Sequence, residues 1–397
     1  MMSVWSSLVG QEAAVAKLSE AAASARAIVA SRGGAHASDD ARSMSHAWLI
    51  TGPPGSGRSV AARAFAAALQ CTGETVGCGQ CAGCRTTMGR TNADVVFAAT
   101  ETSIINVETA RSLVLQAQSS PSQGLWRVIV VEDADRLGES GANALLKAIE
   151  EPPEHTVWLL CAPSPEDMIA TIRSRCRHLG LRIPTAAAVA DLLVREGVAT
   201  PEVALEAARA AQSHIGLARA LARDPQMRER RRAIITASAS VRSVGEAVMA
   251  ADRLLETAKA QADAQVSERN AREKAELLRQ LGMDEGESAT KASRTMIRQL
   301  EEDQKRRSKR ALTDAIDRAL IDLLAIYRDV LMIQVGGDGE LINTDLADLV
   351  GQIARDSTPR QTLARVDHIE TARKRLVSNG NPLLVLEDMA ISLRPQA

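Results

Sequence analysis

Short apolar runs alternate with helical patterns through the first half of the chain. Four runs have the length and composition of buried strands, at residues 48–50, 95–97, 128–131 and 157–161. The stretches between them have the spacing of helices, at residues 59–69, 108–118 and 142–151. Buried strands that alternate with helices pair in parallel and are covered on both faces, so the pattern predicts an α/β domain over residues 1–180.

The second half of the chain has helical patterns only. Residues 181–228 have the pattern of several short helices, which predicts a small helical domain. Residues 229–397 have the pattern of longer helices and are predicted to form an all-α domain. Within it, residues 257–310 are strongly charged and carry few apolar anchors, and we interpret them as a solvated helical face or a partly disordered insertion.

The composition and the net charge limit the classes of protein to which this chain can belong. Aromatic residues make up only 2% of the 397 residues, so Ala and the aliphatic residues must fill the cores. The formal net charge of −1 argues against a basic module that holds nucleic acid alone. The start of the chain lacks the basic and apolar regions of a signal peptide, and no apolar run approaches the ~20 residues that span a bilayer. We therefore expect a cytoplasmic protein with no membrane partner.

A phosphate-binding loop follows the first predicted strand. The segment reads Gly-Pro-Pro-Gly-Ser-Gly-Arg-Ser and fits the pattern G-x-x-x-x-G-K-[ST] at all fixed positions but one. Its glycines, Gly52, Gly55 and Gly57, let backbone N–H groups point at phosphate oxygens, and Ser59 offers a hydroxyl to Mg²⁺. The bulkier, planar Arg58 replaces the lysine. Whether the loop binds ATP or ADP with Mg²⁺ stays open. The alternative is a plain Gly/Pro turn between the strand and the helix.

An acidic pair follows the third predicted strand. P-loop ATPases present a metal-binding Asp there, and in this superfamily a Glu follows that orients the attacking water. Here the order is Glu132 and then Asp133, so one side chain is a methylene too long and the other a methylene too short. Misplacement by ~1 Å can cost about 10²-fold in rate. The order predicts a decayed metal-binding pair, and the alternative is an acidic loop.

Four cysteines lie close together after the phosphate loop. They have the spacing C-x6-C-x2-C-x2-C and are Cys71, Cys78, Cys81 and Cys84. Clustered cysteines in a reducing compartment bind metal more often than they form disulfides. Four thiolates in so short a segment predict a closed, tetrahedral and structural Zn²⁺ site. Cys161 and Cys176 are predicted to be packing residues.

Together with these features, several motifs resemble those of bacterial DNA polymerase III clamp-loader subunits, which are AAA+ proteins. The motifs are Val-Gly-Gln at 9–11, Ser-His-Ala-Trp-Leu-Ile at 45–50, the cysteine cluster, Asn-Ala-Leu-Leu-Lys-Ala-Ile-Glu-Glu-Pro-Pro at 143–153 and Ser-Arg-Cys at 174–176. The resemblance covers about residues 5–180. It implies an AAA+ P-loop sheet domain with an inserted zinc module at about 71–84, a helical lid at 181–228 and an all-α oligomerisation collar at 229–397.

The resemblance also implies a role for Arg175. In the family, the arginine of Ser-Arg-Cys enters the ATP site of the neighbouring subunit as an arginine finger, so Arg175 is expected to act in trans. The alternative is a surface or helix-capping arginine. The departures from the motor subunits are Arg58, the Glu-Asp order, Ala162-Pro163 in place of a polar sensor, and Gly216 in place of the lid arginine. They favour the delta-prime type, which is not expected to hydrolyse ATP itself.

The expected function is to help load the sliding clamp onto primed DNA during replication. The implied partners are motor subunits of the gamma/tau type and a delta subunit, in a hetero-oligomer within the polymerase holoenzyme, a nucleotidyltransferase complex. No polymerase or nuclease carboxylate cluster occurs in the chain itself. Two other hypotheses stay open: a working AAA+ ATPase, either a motor subunit or a branch-migration helicase, and a zinc-stabilised adapter without nucleotide.

Overall fold

A computed structural model describes residues 3–30, 43–98, 105–281 and 291–394. The chain divides into two compact units, Met1–Ala222 and Arg223–Ala397. Among the described helices, none is both long and apolar enough to cross a membrane.

The first unit is built on a five-stranded parallel sheet. Its strands are β1 (Ala47–Thr51), β2 (Val95–Ala98), β3 (Arg127–Val131), β4 (Thr156–Ala162) and β5 (Arg177–Gly180). The strand order is β2-β3-β4-β1-β5, and all neighbours pair in parallel. Strands β1, β3 and β4 are buried at every residue, which is why they form continuous apolar runs. The α/β fold class predicted from the sequence is confirmed.

Strand β5 is absent from the sequence prediction. Its sequence is Arg-His-Leu-Gly, and only Leu179 is buried. The strand lies at the edge of the sheet beside β1, where Arg177 pairs with Trp48 and its guanidinium lies 4.9 Å from the centre of the Trp48 ring. A short polar edge strand has no apolar run to reveal it.

Helices cover both faces of the sheet. The helices of the first unit are α1 (Glu12–Ala30), α2 (Arg58–Leu69), α3 (Ala82–Met88), α4 (Val107–Gln118), α5 (Glu139–Glu150), α6 (Ala170–Arg173), α7 (Ala186–Arg195), α8 (Pro201–Ala210) and α9 (Ile215–Arg223). Helices α1 and α2 pack on the face that holds Trp48 and Ile50, and α4, α5 and α6 pack on the face that holds Leu49 and Trp158. This alternation follows from the two-residue period of a strand.

Helix α2 is the centre of one face. Its buried positions are mostly alanine, which lets the helix lie close to the strands, and Phe65 contacts the Trp48 ring edge-on at 5.3 Å. Since α2 starts directly after the phosphate loop, its close packing fixes that loop against the ends of the strands. Helices α7, α8 and α9 complete the first unit, and the separate lid domain at 181–228 stays a prediction.

The second unit is entirely helical in its described residues. Its helices are α10 (Pro225–Ala239), α11 (Val244–Gln280), α12 (Lys291–Gln334), α13 (Ala347–Asp356), α14 (Pro359–Val377) and α15 (Pro382–Ser392). Ser243 caps the start of α11 in a capping box with Glu246. The core is formed by apolar residues of α11, α12, α14 and α15, among them Leu254, Leu320 and Leu386.

Helices α11 and α12 continue beyond this core as an arm within the predicted charged segment. Val266 and Ala311 belong to the small apolar cluster at its base. Farther out, the Arg307 Nη1 donates to Asn270 Oδ1 at 2.7 Å and to Glu273 Oε2 at 2.8 Å. Burial opposes ionisation of Glu273, but the bonds from Arg307 and Arg269 lower its pKa. A polar contact thus joins the helices where apolar contacts end. Residues 282–290 of the charged segment lie outside the described residues.

Candidate functional site

The predicted phosphate loop lies between β1 and α2, at the carboxyl end of the sheet. Gly55 and Gly57 have φ of +90° and +89°, a region that other residues rarely adopt. Gly57 is the residue before the first turn of α2, which contains Arg58 and Ser59. The loop therefore has the tight left-handed turns that aim backbone N–H groups at an anion.

Two polar atoms at this loop are buried without a hydrogen-bond partner in the described structure. They are the hydroxyl oxygen of Ser56 and the Nη1 of Arg58. A buried donor without a partner is costly, and a phosphate oxygen is the type of acceptor that such a pair lacks. The loop thus fits a phosphate group.

Gln11, from the Val-Gly-Gln motif, is hydrogen-bonded to the phosphate loop through its side-chain amide. The side chain is 4% exposed, and its amide nitrogen donates to the Ser56 carbonyl at 3.3 Å and to the Arg182 carbonyl. The Arg182 N–H donates back to Gln11 Oε1 at 3.2 Å. The motif therefore joins the phosphate loop to the chain that follows β5.

His214, in the turn before α9, packs against the same loop. A side-chain carbon added at Gly55 would lie 3.1 Å from the Cα of His214. The His214 ring is oriented by the Leu217 N–H, which donates to Nδ1 at 3.2 Å. Gly216 lies beside this ring in the first turn of α9. The sequence placed Gly216 where motor subunits carry a lid arginine, but it did not indicate the contact of His214.

The first carboxylate after β3 is already paired. Arg90 Nη2 donates to Glu132 Oε1, and the Glu132 side chain is 13% exposed. The Arg90 guanidinium also lies 4.9 Å from the centre of the Phe97 ring. Arg63 is nearby on α2, and its pKa is lowered by burial and by Arg90, while Glu132 opposes the shift. The Glu132 carboxylate is thus engaged by an arginine of its own chain.

Asp135 lies two residues beyond Asp133, and its ionised form is disfavoured by its surroundings. Burial raises the pKa of Asp135 and the neighbouring Asp133 adds to the shift, while Arg136 and Arg58 oppose it. Beside them on β4, burial raises the pKa of the Cys161 thiol to about 12. The residues present therefore fit a phosphate better than they fit its magnesium ion, whose ligands are free carboxylates and waters.

The end of β4 contacts the phosphate loop through a backbone carbonyl and not through a polar side chain. Ala162 is its last residue, and the Pro163 carbonyl accepts the Gly52 N–H at 3.1 Å. This contact fixes the start of the phosphate loop. It supplies no side chain that could sense a γ-phosphate.

The structure brings the four clustered cysteines together. Their sulfur atoms all lie within 4.8 Å of one another, with the Cys71 sulfur 3.7 Å from that of Cys78 and 3.9 Å from that of Cys81. Four sulfurs at ~2.3 Å from a tetrahedral zinc ion are separated by about 3.8 Å. The residues present therefore fit a zinc ion with a closed set of four thiolates.

Backbone donors orient these sulfurs. The Gln80 and Cys81 N–H groups donate to the Cys78 sulfur, and the Cys84 N–H donates to the Cys81 sulfur, all at 3.4 Å. Burial opposes ionisation of Cys81, but backbone N–H groups of Cys84 and Thr72 lower its pKa to about 6. N–H donors of this kind stabilise thiolates, which are the form that binds metal. Cys176 is outside the cluster, and burial raises its pKa to about 12.

Arg175 lies on the surface after α6. Its guanidinium pairs with Glu150, the last residue of α5, and its Nη1 donates to the Thr171 carbonyl at 2.8 Å. The side chain is 37% exposed. Glu150 belongs to the motif at 143–153, but the sequence did not indicate this pairing. Arg175 is thus oriented by its own chain and remains accessible.

Comparisons with known proteins cover the part of the chain that holds this site. Residues 36–185 match a family model described as "DNA polymerase III, delta subunit". The DNA polymerase III subunit gamma/tau of Mycobacterium tuberculosis is 35% identical over 159 residues, covering 39% of this chain and 28% of that protein. The DNA polymerase III subunit delta′ of Pseudomonas aeruginosa is 34% identical over 165 residues, covering 41% of this chain and 50% of that protein.

One solved structure is similar over more of the chain. It is a DNA polymerase III gamma subunit-related protein from Thermotoga maritima, 17% identical, with a TM-score of 0.40 over 87% of this chain and 93% of that chain. The sequence matches confirm the resemblance to clamp-loader subunits of the AAA+ type that the motifs predicted. The chain spans half or less of the length of the curated relatives described above.

Proposed function

We propose that this chain, a clamp-loader-type AAA+ subunit over residues 36–185, acts as a delta-prime subunit. It helps load the sliding clamp onto primed DNA as part of a hetero-oligomer with gamma/tau-type motor subunits and a delta subunit. Its own nucleotide site is degenerate, and it supplies Arg175 to the ATP site of a neighbouring motor. Its second unit contributes to the oligomeric collar, and Zn²⁺ on the four cysteines is structural.

The observation that carries the proposal is the pairing of Glu132 with Arg90. Phosphoryl transfer depends on positioning and on metal ions that neutralise the developing charge. The metal would have to displace an arginine that is also held against the Phe97 ring. Together with Arg58 in the lysine position, this pairing supports a site that does not assemble its metal.

The position of Arg175 supports action in trans. The side chain is accessible and is anchored by Glu150 and the Thr171 carbonyl, so it is presented in one orientation. An arginine finger stabilises charge on the transferred phosphoryl group and is worth about 10³–10⁵-fold in rate. Pre-orientation reduces the side-chain entropy lost when the neighbour binds.

The first test is ATP hydrolysis by the purified chain with Mg²⁺. No turnover above a blank is expected, either in the wild type or in Ser59→Ala. Clear turnover that disappears in Ser59→Ala would overturn the proposal, because Arg58 would then be a working replacement for lysine and the chain would itself be a motor.

The second test is Arg175→Ala in a clamp loader reconstituted with the other subunits. We expect the complex still to assemble. The rate of clamp-dependent ATP hydrolysis should fall by about 10³-fold or more at the one site that Arg175 enters. Arg173→Ala is the matched control, since Arg173 is an exposed arginine at the end of the short helix that precedes Arg175. An unchanged rate in Arg175→Ala would remove the trans role.

A further inference from the structure

A cavity of about 490 Å³ lies in the second unit among the ends of α10, α13 and α15 and one side of α14. Val241, Leu349, Ile353 and Leu393 form its apolar wall. Ser240 at its rim is exposed, so the cavity opens to solvent. Its volume is in the range of pockets that hold small ligands.

Arg365 of α14 lines this cavity as a buried cation. It is 7% exposed, and in the described part of the chain it has no hydrogen bond or ion pair. Its guanidinium carbon lies 5.7 Å from the centre of the Tyr327 ring. The Tyr327 hydroxyl is also buried without a hydrogen-bond partner among the described residues. A buried charge without a counter-ion is costly, and a cation–π contact with the Tyr327 ring offsets only part of that cost.

Arg231, another buried arginine of the same unit, is arranged differently. It pairs with Asp322 at 3.2 Å and donates to Asn343 Oδ1 at 2.6 Å. Asn343 in turn donates to the buried carboxylate of Asp329 at 3.0 Å. Arg231 thus has an acidic counter-ion and an amide acceptor, neither of which Arg365 has among the described residues.

The other charges at the cavity do not neutralise Arg365. Asp356 pairs at 3.6 Å with Arg242, and both side chains are more than half exposed. The carboxyl-terminal ends of α10 and α15 contribute only the partial negative charge of a helix end. The positive charge of Arg365 therefore remains without a counter-ion beside an apolar wall.

We propose that this cavity binds a carboxylate attached to a short apolar group. A guanidinium binds a carboxylate through two parallel hydrogen bonds, and Arg365 has its donors free for them. Val241, Leu349 and Leu393 offer contact to the hydrocarbon part. The site lies wholly in the second unit, and only the assembly experiment below rests on the proposed function.

Tyr327 gives a direct probe, because it is the only tyrosine of the chain. In a chain labelled with ¹³C at tyrosine Cζ, Tyr327 gives a single labelled resonance, and this residue lies beside Arg365. Titration with hexanoate is expected to shift this resonance in a saturable way, whereas hexanol at the same concentrations is not. Arg365→Gln should lose the response, and Arg360→Gln, an exposed arginine on the same helix, should keep it.

Thermal unfolding gives a second readout. Arg365→Met should unfold at a higher temperature than the wild type without ligand, because an apolar side chain replaces an unpaired buried charge. Hexanoate should raise the unfolding temperature of the wild type and leave that of Arg365→Met unchanged. A lower unfolding temperature for Arg365→Met, with no hexanoate effect on the wild type, would overturn the proposal.

The reconstituted clamp loader distinguishes the two sources of such a carboxylate. A shift of the Tyr327 resonance on assembly, to which hexanoate adds nothing, would assign the site to a carboxylate of a neighbouring subunit. No shift on assembly with a retained hexanoate response would assign it to a free small carboxylate. Absence of a response in both the free and the assembled chain refutes the site.

Discussion

Replacement of Cys81 by serine tests the metal centre. The two sulfur separations of 3.7 and 3.9 Å match the ~3.8 Å expected for four thiolates around zinc, so little rearrangement is needed for binding. Structural zinc contributes about 10–16 kcal/mol of binding free energy in small domains. Loss of one of four equivalent ligands should remove about a quarter, ~3 kcal/mol, or ~10²-fold in affinity.

The effect should be confined to the first unit. The Cys84 sulfur is buried against the Ala67 carbonyl of α2, so the cysteine module is continuous with the core of that unit. All four tryptophans, Trp5, Trp48, Trp126 and Trp158, belong to the first unit as well. Tryptophan fluorescence therefore reports unfolding of the first unit alone.

The assay combines zinc content with thermal unfolding followed by tryptophan fluorescence. Wild-type protein is expected to carry one zinc ion per chain, and Cys81→Ser is expected to lose it during dialysis against a weak chelator and to unfold at a lower temperature. Cys176→Ser removes a thiol outside the cluster and should keep its zinc. One equivalent of zinc retained in Cys81→Ser would refute the four-thiolate site.

Two further predictions follow from particular contacts. Gly83→Ala should lose zinc and lower the unfolding temperature, because the added carbon would lie 2.0 Å from the Gln70 carbonyl oxygen; Gly245→Ala, where no atom lies within 4 Å of that carbon, is the control for both measurements. The pKa of Glu273 is lowered by its partners, so its contribution to the α11–α12 arm is complete above the ordinary carboxyl range and is lost as pH falls below it. Circular dichroism should therefore show loss of helix on acidification below the ordinary carboxyl range in the wild type and a smaller loss in Arg307→Gln. An equal loss in both would contradict the role of this ion pair.

The sequence predicted the centre of the fold because the central strands are buried on both faces. Strands β1, β3 and β4 have no exposed side chain to interrupt their apolar runs, and their helices have regular amphipathic spacing. Strand β5 was missed because an edge strand needs only one buried residue, Leu179, to remain in place. Its position depends on pairing with β1, which is a tertiary contact that no local pattern encodes.

The candidate site was predictable where its residues are local in the chain. The phosphate loop and the cysteine cluster are each contained in a short segment with a defined spacing, and the structure brings the cluster's sulfurs together. The pairs Arg90–Glu132 and Arg175–Glu150 join residues 42 and 25 positions apart. Such pairs depend on how distant elements pack, so the sequence gave no signal for them. The roles of these residues in the proposed function stay predictions.

The cysteine cluster and the acidic pair after β3 are connected through Arg90. Helix α3 begins directly after Cys81 and ends at Met88, and it is followed by Gly89 and by Arg90, which has a left-handed conformation with φ of +58°. That conformation costs a non-glycine residue free energy, so it persists only where its surroundings fix it. Under the proposed function, a zinc ion on the four cysteines would fix α3, and α3 in turn would direct Arg90 to Glu132. Under the same proposal, the arginine that engages Glu132 is supplied by the zinc-stabilised module, which gives a subunit without its own hydrolysis a use for the four cysteines.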